Sequence, residues 1–192
     1  MPVALFPLNA LVCPGGRLPL RIFEPRYLDM VKRCLREDTG FVVLLLRHGH
    51  EADGGNSAFY EVGTLAKIVD FDQDKDGALT IVAEGECCVS VSQIARADDS
   101  LWMGEIDKLT HYEALPMPDE YEELVMVLRA LVRHPAIKTL NLNIDYRDGQ
   151  QVSWRLTELL PFGNARKQEL FEMTDPLHRL AGIAEQLDEM SE

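Results

Sequence analysis

The spacing of apolar residues changes once along this chain, and that change bounds the folds open to it. Up to about Tyr112 they come in short runs bounded by turn residues; beyond LPMPDEYEE (Leu115–Glu123) they recur every three or four positions. The first rhythm belongs to strands and the second to amphipathic helices. The expectation is an α+β protein with a β-rich part over residues 1–117 and an α-helical part over residues 118–192.

In the first part VALF leads in, and LVCPGGRLPLRIF reads as a strand, a Pro-Gly-Gly turn and a second strand. FVVLLL (Phe41–Leu46) is a continuous apolar run, as expected of a strand covered on both faces. EVGTLAKIVDF, GALTIVAEG, ECCVSVSQIA and LWMGEIDKLTHYE then give four strand-like runs separated by turns, the pattern of an antiparallel sheet or a closed barrel. One helix interrupts them after Pro25, with Leu28, Val31 and Leu35 as its apolar stripe. Pro25 suits the first helical position, where its missing N–H would be unpaired anyway. Glu24 before it is expected to cap the helix, placing negative charge at the positive end.

In the second part Leu124, Val125, Leu128, Leu131 and Val132 form one stripe, stopped by Pro135. VSWRLTELL and ARKQELFEM follow as helices, then TDPLHRLAGIAEQLDEM, with Thr174 or Asp175 as its cap and Pro176 in its first turn.

The 192 residues are enough to bury roughly 70% of the surface of the unfolded chain, so no covalent staple is needed. Four cysteines (Cys13, Cys34, Cys87, Cys88) are too few for a disulfide framework; reduced thiols in a cytoplasmic protein are expected. No apolar run approaches the ~20 residues of a membrane span, and MPVALFPLNALVCPGG lacks the basic start of a secretory signal. Net charge is −13, with 11 basic and 18 acidic residues up to Met117 and 8 and 14 after it. Neither half offers the Lys/Arg field that neutralises phosphates, so neither nucleic acid nor an anionic membrane is an expected partner.

DQDKDG (Asp72–Gly77) matches the first half of a calcium loop, but the twelfth position is Ala83 and the flanks read as strands. A hairpin turn needs the same Asp and Gly residues, and a turn is expected. HGHE (His48–Glu51) lacks the second ligand pair of a zinc site and reads as a solvated loop. Cys87 and Cys88 lie close to Glu84 and Glu86, an unfavourable setting for a catalytic thiolate. There is no phosphate loop, nucleophile elbow, H-E-x-x-H helix or dinucleotide fingerprint. The residues argue for no enzyme, no cofactor and no metal.

Three ordered blocks carry a family resemblance. The first comprises Phe6, Pro7, Leu8, Pro14, Gly15, Pro19, Leu20, Ile22, Phe23, Glu24, Arg26 and Tyr27; the second is VGTLAKIVDF with DGALTIVAEG; the third is LLPFGNARKQELFEMTDPLHRLAGIAEQL. Together they resemble the N-terminal substrate-binding domain of Lon proteases. The resemblance implies a PUA-like pseudo-barrel with one helix, followed by a helical bundle. It also implies a stand-alone form without the ATPase and protease domains, unable by itself to hydrolyse ATP or peptide bonds. Where the family often carries a basic residue after the second block, this chain has Cys87 and Cys88, so no role of that charge carries over.

The implied function is a binding module for unfolded or exposed apolar polypeptide segments, with Arg21, Glu24, Arg26 and Tyr27 as candidate peptide contacts. The residues' own reading of Glu24, Arg21 and Arg26 is structural: they would fix how the helix leaves the sheet. The alternatives are an oligomerisation or adaptor protein docking on a protease or another partner, and a hydrolase using His48, His50 or Cys88.

Overall fold

The structure, a computed structural model, describes residues 2–47, 58–73, 78–110 and 114–191. The chain divides into two compact units, Met1–Leu109 and Thr110–Glu192. The division falls before the expected position at Met117, because Leu115–Met117 joins the second unit. There Met117 N donates to Arg147 O (2.8 Å), and Pro116 bridges Asp148.

The first unit contains strands β1 (Val3–Leu8) and β2 (Arg17–Ile22), helix α1 (Pro25–Glu37), and strands β3 (Phe41–Leu45), β4 (Val62–Gln73), β5 (Leu79–Arg96) and β6 (Trp102–Lys108). They form one sheet in the order β2-β5-β4-β3-β1-β6, and β5 also pairs with β6. The pairings therefore run in a circuit from β5 through β4, β3, β1 and β6 back to β5, with β2 added outside it. All pairs are antiparallel except β1 with β3. That parallel pair needs a long crossover, supplied here by β2 and α1.

GALTIVAEG and ECCVSVSQIA, expected as two strands, are the single strand β5. Gly85 does not turn the chain; it admits another backbone. A Cβ there would lie 2.4 Å from Cys13 O, and Gly85 exchanges backbone bonds with Gly15 and Gly16. On either side of it β5 pairs with β2 (residues 79–84) and with β6 (residues 89–96). A register shift between Ser92 and Ala95, with Gln93 at φ 50°, bends the strand toward β6.

β3 is buried on both faces, as its sequence predicts. Phe41 and Val43 join a core with Phe6, Tyr27, Met30, Val31 and Ile81; Val42 and Leu44 join another with Leu5, Phe59, Val89 and Trp102. Phe6 stacks on Tyr27 with ring centroids 4.1 Å apart. The buried stripe of α1 is Tyr27, Met30, Val31 and Cys34, whereas Leu35, expected inside, is 38% exposed. Leu28 is half-buried and packs against this core, while Tyr27 and Cys34 supply the apolar surface that a stripe of aliphatic residues alone assigns to Leu35.

The second unit holds a 3-10 turn (Asp119–Tyr121) and helices α2 (Glu122–Val132), α3 (Pro135–Lys138), α4 (Gly149–Leu159), α5 (Asn164–Glu172) and α6 (Pro176–Ser191). Leu124, Leu128, Val152, Leu156, Leu170, Leu180 and Ile183 form its core. Asp148 caps α4 by accepting from Gln150 N (3.0 Å), and Asp175 caps α6 by accepting from Leu177 N (2.8 Å). At the centre Arg179, 0% exposed, donates to Leu170 O (2.8 Å), Gln150 Oε1 (3.0 Å), Ser153 Oγ (3.0 Å) and Met173 O. Among the described residues no helix is long and apolar enough to cross a membrane.

Candidate functional site

The junction between β2 and α1 gathers the candidate peptide contacts. Glu24 holds the N-cap position of α1 with extended φ and ψ, and its carbonyl accepts from Tyr27 N (3.0 Å) and Leu28 N (2.9 Å). Its side chain makes no capping bond, contrary to the sequence expectation. Caps of that kind need a short side chain that can fold back onto the first turn. The longer Glu24 carboxylate instead pairs with Arg26 (Oε2 to Nη2 2.8 Å, to Nε 3.0 Å). Arg26 in turn donates from Nη1 to Ser100 O (3.2 Å) and lies 4.7 Å from the Tyr27 ring centroid. Arg26 thus ties the start of α1 to the turn between β5 and β6.

Beside this clamp lies a cleft of ≈ 180 Å³. Phe6, Pro7, Leu20, Ile22 and Phe23 give it apolar walls, while Arg21 and Glu24 supply charge and Tyr27 closes it. Three of the four candidates therefore line one cleft, and Arg26 stands behind it. The pattern of β2 explains the geometry: Leu18, Leu20 and Ile22 contribute to the core face, while Pro19 and Arg21 are exposed.

Two residues missed by the sequence reading extend the apolar surface. Phe23 is 69% exposed, and Phe71 of β4 is 59% exposed. Phe71 pairs with Ile81 of β5, which pairs with Leu20 of β2, so the three occupy one row across the sheet. Phe71 sits between Asp70 and Asp72 in the outer half of β4, where all residues from Val69 onward are exposed. A lone Phe between two aspartates was the available signal.

Among the described residues, the far edge of β2 carries no other strand. Gly85 N donates to Gly16 O (3.0 Å), one step beyond the Arg17–Glu84 pair. Alternation then turns the backbone of Leu18, Leu20 and Ile22 toward β5 and that of Arg17, Pro19 and Arg21 toward the open edge. Pro19 has no N–H, so this edge lacks a donor at its middle.

His48–Glu51, His111 and most of DQDKDG lie outside the described residues. Among those described, no three His, Cys, Asp or Glu side chains are placed to hold a metal ion. None of the four cysteines is in a disulfide; Cys13, Cys34 and Cys88 are buried, and Cys87 is half-buried. Burial pushes the thiols of Cys34 and Cys87 above the ordinary range, which opposes nucleophilic use.

The model of the ATP-dependent protease La (LON) substrate-binding domain matches residues 2–189. A LON peptidase N-terminal domain and RING finger protein of Schizosaccharomyces pombe is 28% identical over 97% of this chain, and the match spans 45% of its own length. A Lon protease of Cytophaga hutchinsonii is 23% identical over 94% of this chain and 23% of its own. Thus the chain spans less than half the length of these relatives. The crystal structure of a Lon N-terminal domain protein from Xanthomonas campestris superposes with a TM-score of 0.75 at 30% identity, covering 97% of this chain and 96% of that one. The N-terminal domain of a Mycobacterium avium complex Lon protease shares the fold, with a TM-score of 0.62 at 18% identity over 96% of this chain and 97% of that one. By sequence along nearly its full length, this chain belongs to the Lon substrate-binding domain family.

Proposed function

We propose that this chain is a non-catalytic module that recognises unfolded or exposed apolar polypeptide segments, and that such a segment seats at the cleft between β2 and α1. The observation that carries the placement is the cleft itself, walled by Leu20, Ile22 and Phe23; the exposed Phe71 stands in the same sheet row as Leu20, across Ile81. An exposed aromatic beside a half-enclosed apolar cleft gives a partner side chain somewhere to lose water. The Pro19 gap in the open edge of β2 makes side-chain burial, rather than a continuous backbone ladder, the main source of affinity. Arg21 and Glu24 at the cleft supply polar contacts for a peptide backbone, Tyr27 forms its closed end, and Arg26 keeps Glu24 in place. The closed circuit of strands is read as the PUA-like pseudo-barrel of the family, the second unit as its helical bundle, and the cytoplasm as the compartment. The clients are partly folded proteins; docking on a protease and self-association are the competing reading.

The test is titration with a labelled, permanently unfolded casein-like protein. Phe23→Ser paired with Phe71→Ser should weaken binding by about tenfold or more, the loss of about 1.4 kcal/mol or more, with the melting temperature held because both side chains are exposed. Salt should weaken binding only mildly, since the contact is apolar. Wild-type affinity in the double variant, or crosslinks confined to residues after Met117, would remove the site from the β-rich unit.

A further inference from the structure

The recognition reading leaves unused a groove on the helical unit. It runs between α5 and α6, measures ≈ 790 Å³, and is floored by Ala181, Gly182 and Ala184, with Met173 and Tyr121 alongside. The floor is tight at Gly182, where an added Cβ would lie 3.0 Å from Leu170 Cδ2 and 3.2 Å from Arg166 Nη2. The rim is acidic: Glu169 on α5, and Glu185, Asp188 and Glu189 on α6. Arg166 is the basic residue within it, and it is already engaged, donating from Nη1 to Glu169 Oε2 (2.8 Å) and from Nη2 to Gly182 O (2.9 Å).

On α6 the groove-lining positions 178, 181, 182, 185, 188 and 189 repeat at helical spacing. They make a straight face about 17 Å long at 1.5 Å per residue. Arg166 covers this face at Gly182, while Ala181, Glu185, Asp188 and Glu189 are exposed.

We propose that this groove docks a basic amphipathic helix of a partner protein. Small residues on the floor let a third helix come within the ~8–10 Å at which helix axes pack. Its aliphatic ridge would lie on Ala181, Ala184 and Met173. Lys or Arg on the two flanks of that ridge would meet Glu169 on one rim and Glu185, Asp188 and Glu189 on the other. Four rim carboxylates against the one guanidinium of Arg166, which pairs with Glu169 (2.8 Å) and lies 3.9 Å from Glu185, leave the groove net negative; it repels an acidic helix and a phosphate backbone alike, so shape and sign select the same partner. This site uses none of the residues of the cleft in the β-rich unit, and the two differ in how strongly salt weakens them and in which substitutions they feel.

The probe is a fluorescein-labelled synthetic helix of Lys, Leu and Ala, about four turns long, compared with the same peptide carrying Glu for Lys. Binding to the full chain is read by anisotropy at about 0.05 and 0.3 M salt. The Lys peptide should bind and lose about tenfold in affinity across that range, and the Glu peptide should not bind. Glu185→Lys with Asp188→Lys should cost tenfold or more, as should Ala181→Trp, which fills the groove and alters no charge. A proline at the centre of the Lys peptide should abolish binding by breaking its helix. Phe23→Ser should leave binding unchanged. Equal binding of the two peptides, survival in Ala181→Trp, tolerance of the proline, or dependence on Phe23 would each overturn the proposal. Failure here leaves casein binding at the cleft untouched, so the two readings fall separately.

Discussion

The two units solve the problem of a buried interior differently. In the β-rich unit the core is almost wholly apolar; Thr64 is its one fully buried polar side chain among the described residues, bonded to Val12 O at 2.6 Å. In the helical unit Gln150, Ser153, Arg155, Thr157, Gln168 and Arg179 are all buried. Strands satisfy their backbones through neighbouring strands and need little help from side chains. Short helices leave carbonyls under-satisfied at their ends, and here a buried guanidinium donates to two of them, Leu170 O near the end of α5, which also accepts from Met173 N (3.3 Å), and Met173 O just beyond. Arg155 adds an ion pair with Glu158 at 3.0 Å, a charge contact rather than an aligned hydrogen bond. One unit is held by area removed from water, the other also by a polar hub that admits few alternative packings.

The largest expected effect attacks the apolar core. Phe41→Ala should destabilise the β-rich unit by about 3–5 kcal/mol. Urea melts followed by Trp102 fluorescence, with Trp154 replaced by Phe, would measure it. An equal loss seen by Trp154 in the reverse background would show that the units melt together and blunt the contrast.

Next comes the polar hub. Arg179→Ala removes the buried donor shared by Gln150 Oε1, Ser153 Oγ and two carbonyls and should cost about 3 kcal/mol, read by Trp154. Arg179→Met, close in volume, sharpens the comparison. Stability near wild type in Arg179→Met would mean that the hub contributes no more than an apolar core does.

The smallest effect concerns the junction. Glu24→Ala removes a partly exposed ion pair and no capping bond, so it should cost less than about 1 kcal/mol. A larger loss in thermal melts would restore the capping role that the structure denies.

Much of this architecture is legible in the sequence, for local reasons. FVVLLL declares a doubly covered strand by having no polar alternation, and Asp175-Pro176 declares the start of α6 by capping chemistry. What escapes is set by distant partners. Gly85 reads as a break until the Cys13 backbone is brought against it. Arg179 reads as one more charge on a helix, because the Gln150 and Ser153 that receive it lie 29 and 26 residues away. The candidate site is split in the same way. Arg21, Glu24 and Tyr27 announce themselves as charge and aromatic surface at a strand–helix junction, whereas Phe71 reaches their neighbourhood through the pairing of β4, β5 and β2.

The circuit of strands also has a consequence in time. β1 is made early, yet its Val3 pairs with Gly104 of β6. At about 5–20 residues per second of synthesis, this first strand waits on the order of 5–20 s for its last neighbour to emerge. β3 can join β1 sooner, through the parallel Leu5–Val42 register, so the β1–β3 pair exists before the circuit can close. Until then the row Leu5, Val42 and Leu44, destined to meet Trp102, faces outward. A nascent chain of this design is itself an unfolded client with exposed apolar strands, and pauses in translation before Trp102 would prolong that exposure.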